Sequence, residues 1–172
     1  MIIVSEKTID KTLNLLETKT EDEVQAMFND FITQQPYLMA FALTMGEDFT
    51  NESDSEHLLY LTFIMWKCFV AEGGKVPLVS EMVIESVNER FNKLLGGDEQ
   101  SDEMSMDGVT TIIRENRQPA LFEFTLEQLM ENMDDEMDDE ENEGIQSIIS
   151  FTLQVALECL DHAANGMKLK KV

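Results

Sequence analysis

The chain has 172 residues, enough to bury one sizeable hydrophobic core, and 43% of them are apolar. Lysine and arginine number 12 against 35 aspartate and glutamate residues, so the formal net charge is −23. Such a charge opposes direct binding to the phosphate backbone of nucleic acid. The sequence has no run of about eighteen uncharged apolar residues, so we expect no membrane span.

Two cysteines, Cys68 and Cys159, each lie in an apolar run with helical periodicity. We expect both to be small buried side chains of a protein in a reducing cytoplasm, with no disulfide between them. The first residues lack the basic and long apolar regions of a signal peptide. The sequence therefore predicts a cytoplasmic location.

The first half of the sequence predicts four helices, near residues 5–18, 20–34, 36–45 and 55–72. Ser5 is a typical N-cap for the first, and Thr20 with Glu23 forms a capping box for the second. The third helix opens at Pro36 and is apolar almost all round, so we expect it to be buried on several sides. The fourth carries a long apolar run and ends at two glycines.

The second half predicts four more helices, near residues 80–95, 109–116, 119–133 and 144–165. Ser80 is a typical N-cap for the first of them. Residues 98–107 form a polar, acidic linker, and residues 134–143 an acidic loop that we expect to be mobile. Because alternating strand patterns are missing outside residues 1–4, the sequence predicts an all-α fold of about eight helices.

Residues 35–43 and 118–126 match each other, and both read Q-P-x-L-x-x-F-x-L. Proline is suited to the first turn of a helix, where its missing N–H needs no partner, and it pushes the preceding residue out of the α region. Each copy therefore predicts a tight corner between two helices. In each copy we expect an apolar face toward the core, formed by Leu38, Phe41 and Met45 and by Leu121, Phe124 and Leu126.

The repeated motif suggests a degenerate tandem duplication of a four-helix unit. Aligning Cys68 with Cys159 also aligns the fourth and eighth helices. We predict a single all-α domain over residues 1–172, arranged as a helical bundle or a short helical-repeat array, with halves near residues 5–74 and 77–166. We also expect Phe41, Trp66, Phe124 and Leu153 to be buried.

The acidic run over residues 134–143 has eight acidic residues in ten positions. It lacks the glycine of a calcium-binding EF-hand loop, so we expect a solvated loop, with weak association of divalent ions as the alternative. A basic partner could bind here. The candidate partner-binding residues are Asp134, Asp135, Asp138 and Asp139.

Two acidic pairs could hold a metal ion: Glu140-x-x-Glu143 and Glu158-x-x-Asp161. These four residues resemble the Mg²⁺ site of all-α nucleotide pyrophosphohydrolases of the MazG-like class, and the resemblance implies a metal that clamps phosphates. Since Glu143 and Glu158 are expected on one helix, the pairs would lie about 20 Å apart, too far to share one ion. Cys159 and His162 have helical spacing for two zinc ligands, but a structural zinc site needs four.

No P-loop, nucleophile elbow or dinucleotide fingerprint occurs in the sequence. We therefore expect a non-catalytic adaptor that binds another protein, with a basic protein as the expected partner and without a cofactor. The two alternatives are a Mg²⁺-dependent phosphohydrolase that uses the acidic pairs and an acidic mimic of nucleic acid. Carboxylates from different helices that converge in one pocket would favour the phosphohydrolase. Surface charges spaced like the phosphates of nucleic acid would favour the mimic.

Overall fold

The computed structural model describes residues 1–47, 49, 52–96, 104–131 and 139–169. Within these ranges the chain is helical, without a strand, so the prediction of an all-α fold with eight helices is confirmed. The helices are α1 (Glu6–Thr18), α2 (Glu21–Gln34), α3 (Pro36–Gly46), α4 (Glu52–Gly73), α5 (Glu81–Leu95), α6 (Met106–Glu115), α7 (Pro119–Glu131) and α8 (Asp139–Asn165).

Side-chain caps begin several of these helices, as the sequence predicts. The hydroxyl of Ser5 accepts a hydrogen bond from the Thr8 N–H, and Ser80 does the same for Val83. Thr20 and Glu23 form the complete capping box at the start of α2. Because a cap satisfies backbone donors that have no partner within the helix, these starts are determined locally.

The two long helices α4 and α8 form the centre of the molecule and pack against each other. Helices α1, α2 and α3 contact α4, and helices α3, α5 and α7 contact α8. Leu58, Phe63 and Met65 on α4 and Leu153 and Leu160 on α8 are fully buried. These two helices therefore supply most of a single core to which the other helices add one face each.

Aromatic rings join α2 to α4. The ring of Phe31 lies 5.5 Å from Trp66 and 6.0 Å from Phe63, centroid to centroid. Phe28 packs edge-on against Phe63 at 5.5 Å. Tilted and edge-to-face rings at these distances attract each other beyond the gain from burial, so this cluster fixes how α2 lies on α4.

The predicted burial of the core aromatics is confirmed in part. Trp66, Phe124 and Leu153 are buried, whereas Phe41 is only half-buried. Leu126, which we expected to face the core, is exposed. The motif periodicity indicates the inward side of each helix, but it does not determine how far the neighbouring helices cover that side.

The expectation that α3 is buried on several sides is wrong. Leu38, Ala42 and Gly46 are buried along one edge, while Tyr37 and Leu43 are exposed. Helix α3 lies against α2, α4, α5 and α8 with that edge and leaves apolar side chains in solvent. An apolar composition all round a helix is therefore no proof of burial on all sides.

Helix α8 begins at Asp139, five residues before its predicted start, so the second half of the expected acidic loop is helical. Helix α4 likewise begins early, with Glu52 and Asp54 in its first turn. Carboxylates at a helix start interact favourably with the partial positive charge of the free N–H groups there. In the part of the chain that the structure describes, no helix is long and apolar enough to cross a membrane.

Candidate functional site

Three of the four candidate partner-binding residues, Asp134, Asp135 and Asp138, lie outside the described residues. The backbone of Asp139 begins α8, and its side chain is not among those described. Glu140 and Glu143 follow on the first turns of α8 and are exposed, so carboxylates line the start of the last helix.

The four candidate metal ligands all lie on α8 and do not form one site. Glu140 and Glu158 are separated by about 27 Å along the helix, at a rise of 1.5 Å per residue. Among the described residues, no group of three or more histidine, cysteine or acidic side chains is arranged to hold a metal ion. The carboxylates of Glu158 and Asp161 contact arginines instead.

Arg90 is the buried centre of the first of these ion pairs. Its Nη1 donates to Oε2 of Glu115 at 3.0 Å, and its Nη2 donates to Oε2 of Glu158 at 2.5 Å. The guanidinium also lies over the ring of Phe91, 5.2 Å from its centroid. Since Glu115 ends α6 and Glu158 belongs to α8, one arginine of α5 joins three helices.

Asp161 is the centre of the second network and is almost fully buried. Arg117 donates to its Oδ2 from Nε at 3.2 Å and from Nη2 at 3.0 Å. Gln118 Nε2 and Asn165 Nδ2 donate to its Oδ1 at 2.6 and 2.8 Å. Four donors therefore surround this carboxylate, which makes it an organising group rather than a free metal ligand or base.

A small cleft separates the two networks. Its volume is about 20 Å³, room for about one water molecule, and Arg117, Gln154 and Glu158 contribute to its walls. Gln154 is buried, and its Oε1 has no hydrogen-bond partner among the described residues. The cleft is too small for an organic substrate.

Gln118, at the corner before Pro119, holds an extended segment at the start of the chain. The Val4 N–H donates to Gln118 Oε1 at 2.9 Å, and Gln118 Nε2 donates to the carbonyl of Ile2 at 2.9 Å. Both the glutamine and Val4 are 1% exposed. A single amide side chain thus pairs with the main chain of residues 2–4.

Gln35, at the corner before Pro36, makes the same contacts with a different segment. The Val79 N–H donates to Gln35 Oε1 at 2.9 Å, and Gln35 Nε2 donates to the carbonyl of Pro77 at 3.0 Å. Here too the glutamine and the valine are buried. We call each of these arrangements a glutamine corner.

The segments are held crosswise, because each glutamine binds the residues that lead into the first helix of the other predicted half. Such an exchange is what a duplicated four-helix unit would produce, although the duplication itself stays a prediction. The repeated motif predicts helix starts and core packing at these corners, but it does not predict that the glutamines bind main chain. The signal was available in the identical glutamine before each proline, an unusual residue to keep in a buried position.

Both cysteines are free and buried, as predicted. Burial raises the pKa of the Cys68 thiol to about 11 and raises that of Cys159 further. A protonated thiol in an apolar environment is a poor nucleophile and a poor metal ligand. Neither cysteine is therefore arranged for covalent catalysis.

His57 lies on α4 near the end of α7. Burial lowers the pKa of its imidazole, while the charge of Asp54 and the backbone of Gln128 act in the opposite direction. Its Nε2 is enclosed and has no hydrogen-bond partner within the described part of the chain. This histidine is therefore suited to the neutral form.

Comparisons of the chain with protein-family models, with curated proteins and with solved structures gave no match.

Proposed function

We propose that the protein is a non-catalytic protein-binding module that holds a basic segment of a partner against the acidic start of α8. The observation that carries this proposal is the net charge of −23 together with the exposed carboxylates of Glu140 and Glu143. Arg90 and Arg117 do not offset this surface charge, because each is bound to carboxylates within the fold. Opposite charge on a partner would be attracted over a long range.

Exposed apolar side chains on α7 and α8 suggest the chemistry of the partner. Leu126 and Met130 are exposed on α7, with Met130 at 76%, and Ile148 is exposed on α8, which packs against α7. Methionine adapts its shape to different apolar surfaces. A basic segment that also carries apolar side chains, such as an amphipathic helix, fits this combination.

The phosphohydrolase alternative has less support. It requires carboxylates from different helices to converge on one metal, whereas Glu158 and Asp161 are bound to arginines and the other pair lies far along α8. The nucleic-acid mimic differs from the proposed module in its partner, which would be a nucleic-acid-binding protein displaced by DNA or RNA. Competition with nucleic acid therefore distinguishes the two.

The test neutralises the acidic start of α8 and measures binding of a labelled amphipathic peptide of lysine and leucine, about twenty residues long. The variant carries Asp139→Asn, Glu140→Gln, Glu141→Gln and Glu143→Gln, all within the first turns of α8. We expect its affinity to fall about tenfold, because four charge contacts are removed. Cross-linking and capture of partners from the source organism then shows whether a natural basic partner is lost with the peptide.

The matched control removes the same number of charges from exposed positions on α1 and α5. It carries Asp10→Asn, Glu17→Gln, Glu85→Gln and Glu89→Gln. This control should keep most of the peptide affinity at moderate salt. Equal losses in both variants would mean that net charge alone attracts the peptide, and an unchanged affinity in the first variant would contradict the proposed site.

A further inference from the structure

We draw no further inference here: the strongest candidate, the uncharged outer face of α3 on which Tyr37 and Leu43 are exposed, is an unpartnered apolar surface, and nothing in the described part of the structure shows what covers it.

Discussion

Gln35 and Gln118 are buried amides whose polar atoms are matched by the main chain of a distant segment. Burying an amide without partners is costly, so such a side chain remains in a core only where its hydrogen bonds are made. Each glutamine amide makes its own hydrogen bonds and is also the partner of a backbone N–H and a backbone carbonyl that lie outside the helices. One side chain therefore pairs its own buried polar atoms and those of the main chain.

Replacing Gln35 with methionine should show the cost of losing these bonds. The side chain keeps its size, but the Val79 N–H and the Pro77 carbonyl lose their partner. We expect the free energy of unfolding in urea to fall by about 2 to 4 kcal/mol, since each buried group left without a partner costs about 1 to 3 kcal/mol. The neighbouring exposed Gln34→Met is the control and should have little effect.

His57 should make stability depend on pH in a predictable direction. Burial lowers its pKa in the folded protein, so the unfolded chain takes up a proton at higher pH than the native state does. The contribution of His57 to stability is therefore complete above the ordinary pKa of about 6.5 and decreases as the pH falls below it.

The measurement compares urea unfolding of the wild type and of His57→Gln at pH 7.5 and at about pH 5.5. The many carboxylates affect both proteins alike, so the difference between the two isolates the histidine. We expect the wild type to lose more stability than the variant on acidification. If the free energy of unfolding falls equally in the two proteins, the pH dependence does not come from His57.

Individual helices are joined by ion pairs in which one partner is buried and the other is partly exposed. Arg90 on α5 contacts Glu115 of α6 and Glu158 of α8 with two separate nitrogens of one planar group. Arginine is suited to this geometry, because its donors are arranged in a rigid fork. These contacts fix the short helix α6 against the two longer ones. Within α6, Ile112 is the one large apolar side chain that is buried, so apolar packing alone holds this helix weakly.

Replacement of Arg90 with methionine should lower the free energy of unfolding by about 1 to 3 kcal/mol, because the partly exposed carboxylates of Glu115 and Glu158 lose a charged hydrogen-bond donor. Arg90→Lys should restore only part of this loss, since one ammonium group cannot reproduce both contacts. The exposed pair of Lys19 and Glu23 provides the control, and Lys19→Met should leave the unfolding midpoint nearly unchanged. Full rescue by lysine would show that charge alone matters at this position.

The whole molecule combines an ordinary apolar core with a surface of one charge sign. The core around α4 and α8 has to offset the mutual repulsion of 35 acidic side chains that only 12 basic ones counter. Part of that repulsion is relieved where carboxylates begin helices, as at the early starts of α4 and α8. The remaining repulsion between acidic side chains destabilises the whole fold, and salt screens it.

Raising sodium chloride from about 0.01 to 0.3 M should therefore increase the melting temperature by several degrees, because the Debye length falls from about 30 Å to below 8 Å. The fourfold control variant described for the binding test should be more stable than the wild type in low salt, and its stability should depend less on salt. A melting temperature that does not change with salt would show that surface repulsion does not limit stability.

The sequence by itself determined the eight helices and most of their limits, because caps, prolines and glycines act within a few residues of where they stand. It also predicted buried cysteines and the inward side of most helices, since apolar periodicity reports which face is covered. Helices α4 and α8 begin three and five residues before the starts that their apolar patterns predict, because carboxylates at a helix start are stabilised by its free N–H groups.

Only the tertiary structure decided what the glutamine corners hold and what the α8 carboxylates contact. Gln118 and Ile2 are 116 positions apart, and Arg90 and Glu158 are 68 apart, so no local pattern relates them. The half-exposed state of Phe41 and the open faces of α3 likewise depend on where neighbouring helices end. Local hydrogen bonding and periodicity are present in the sequence itself, whereas contacts between distant residues exist only after the helices have packed.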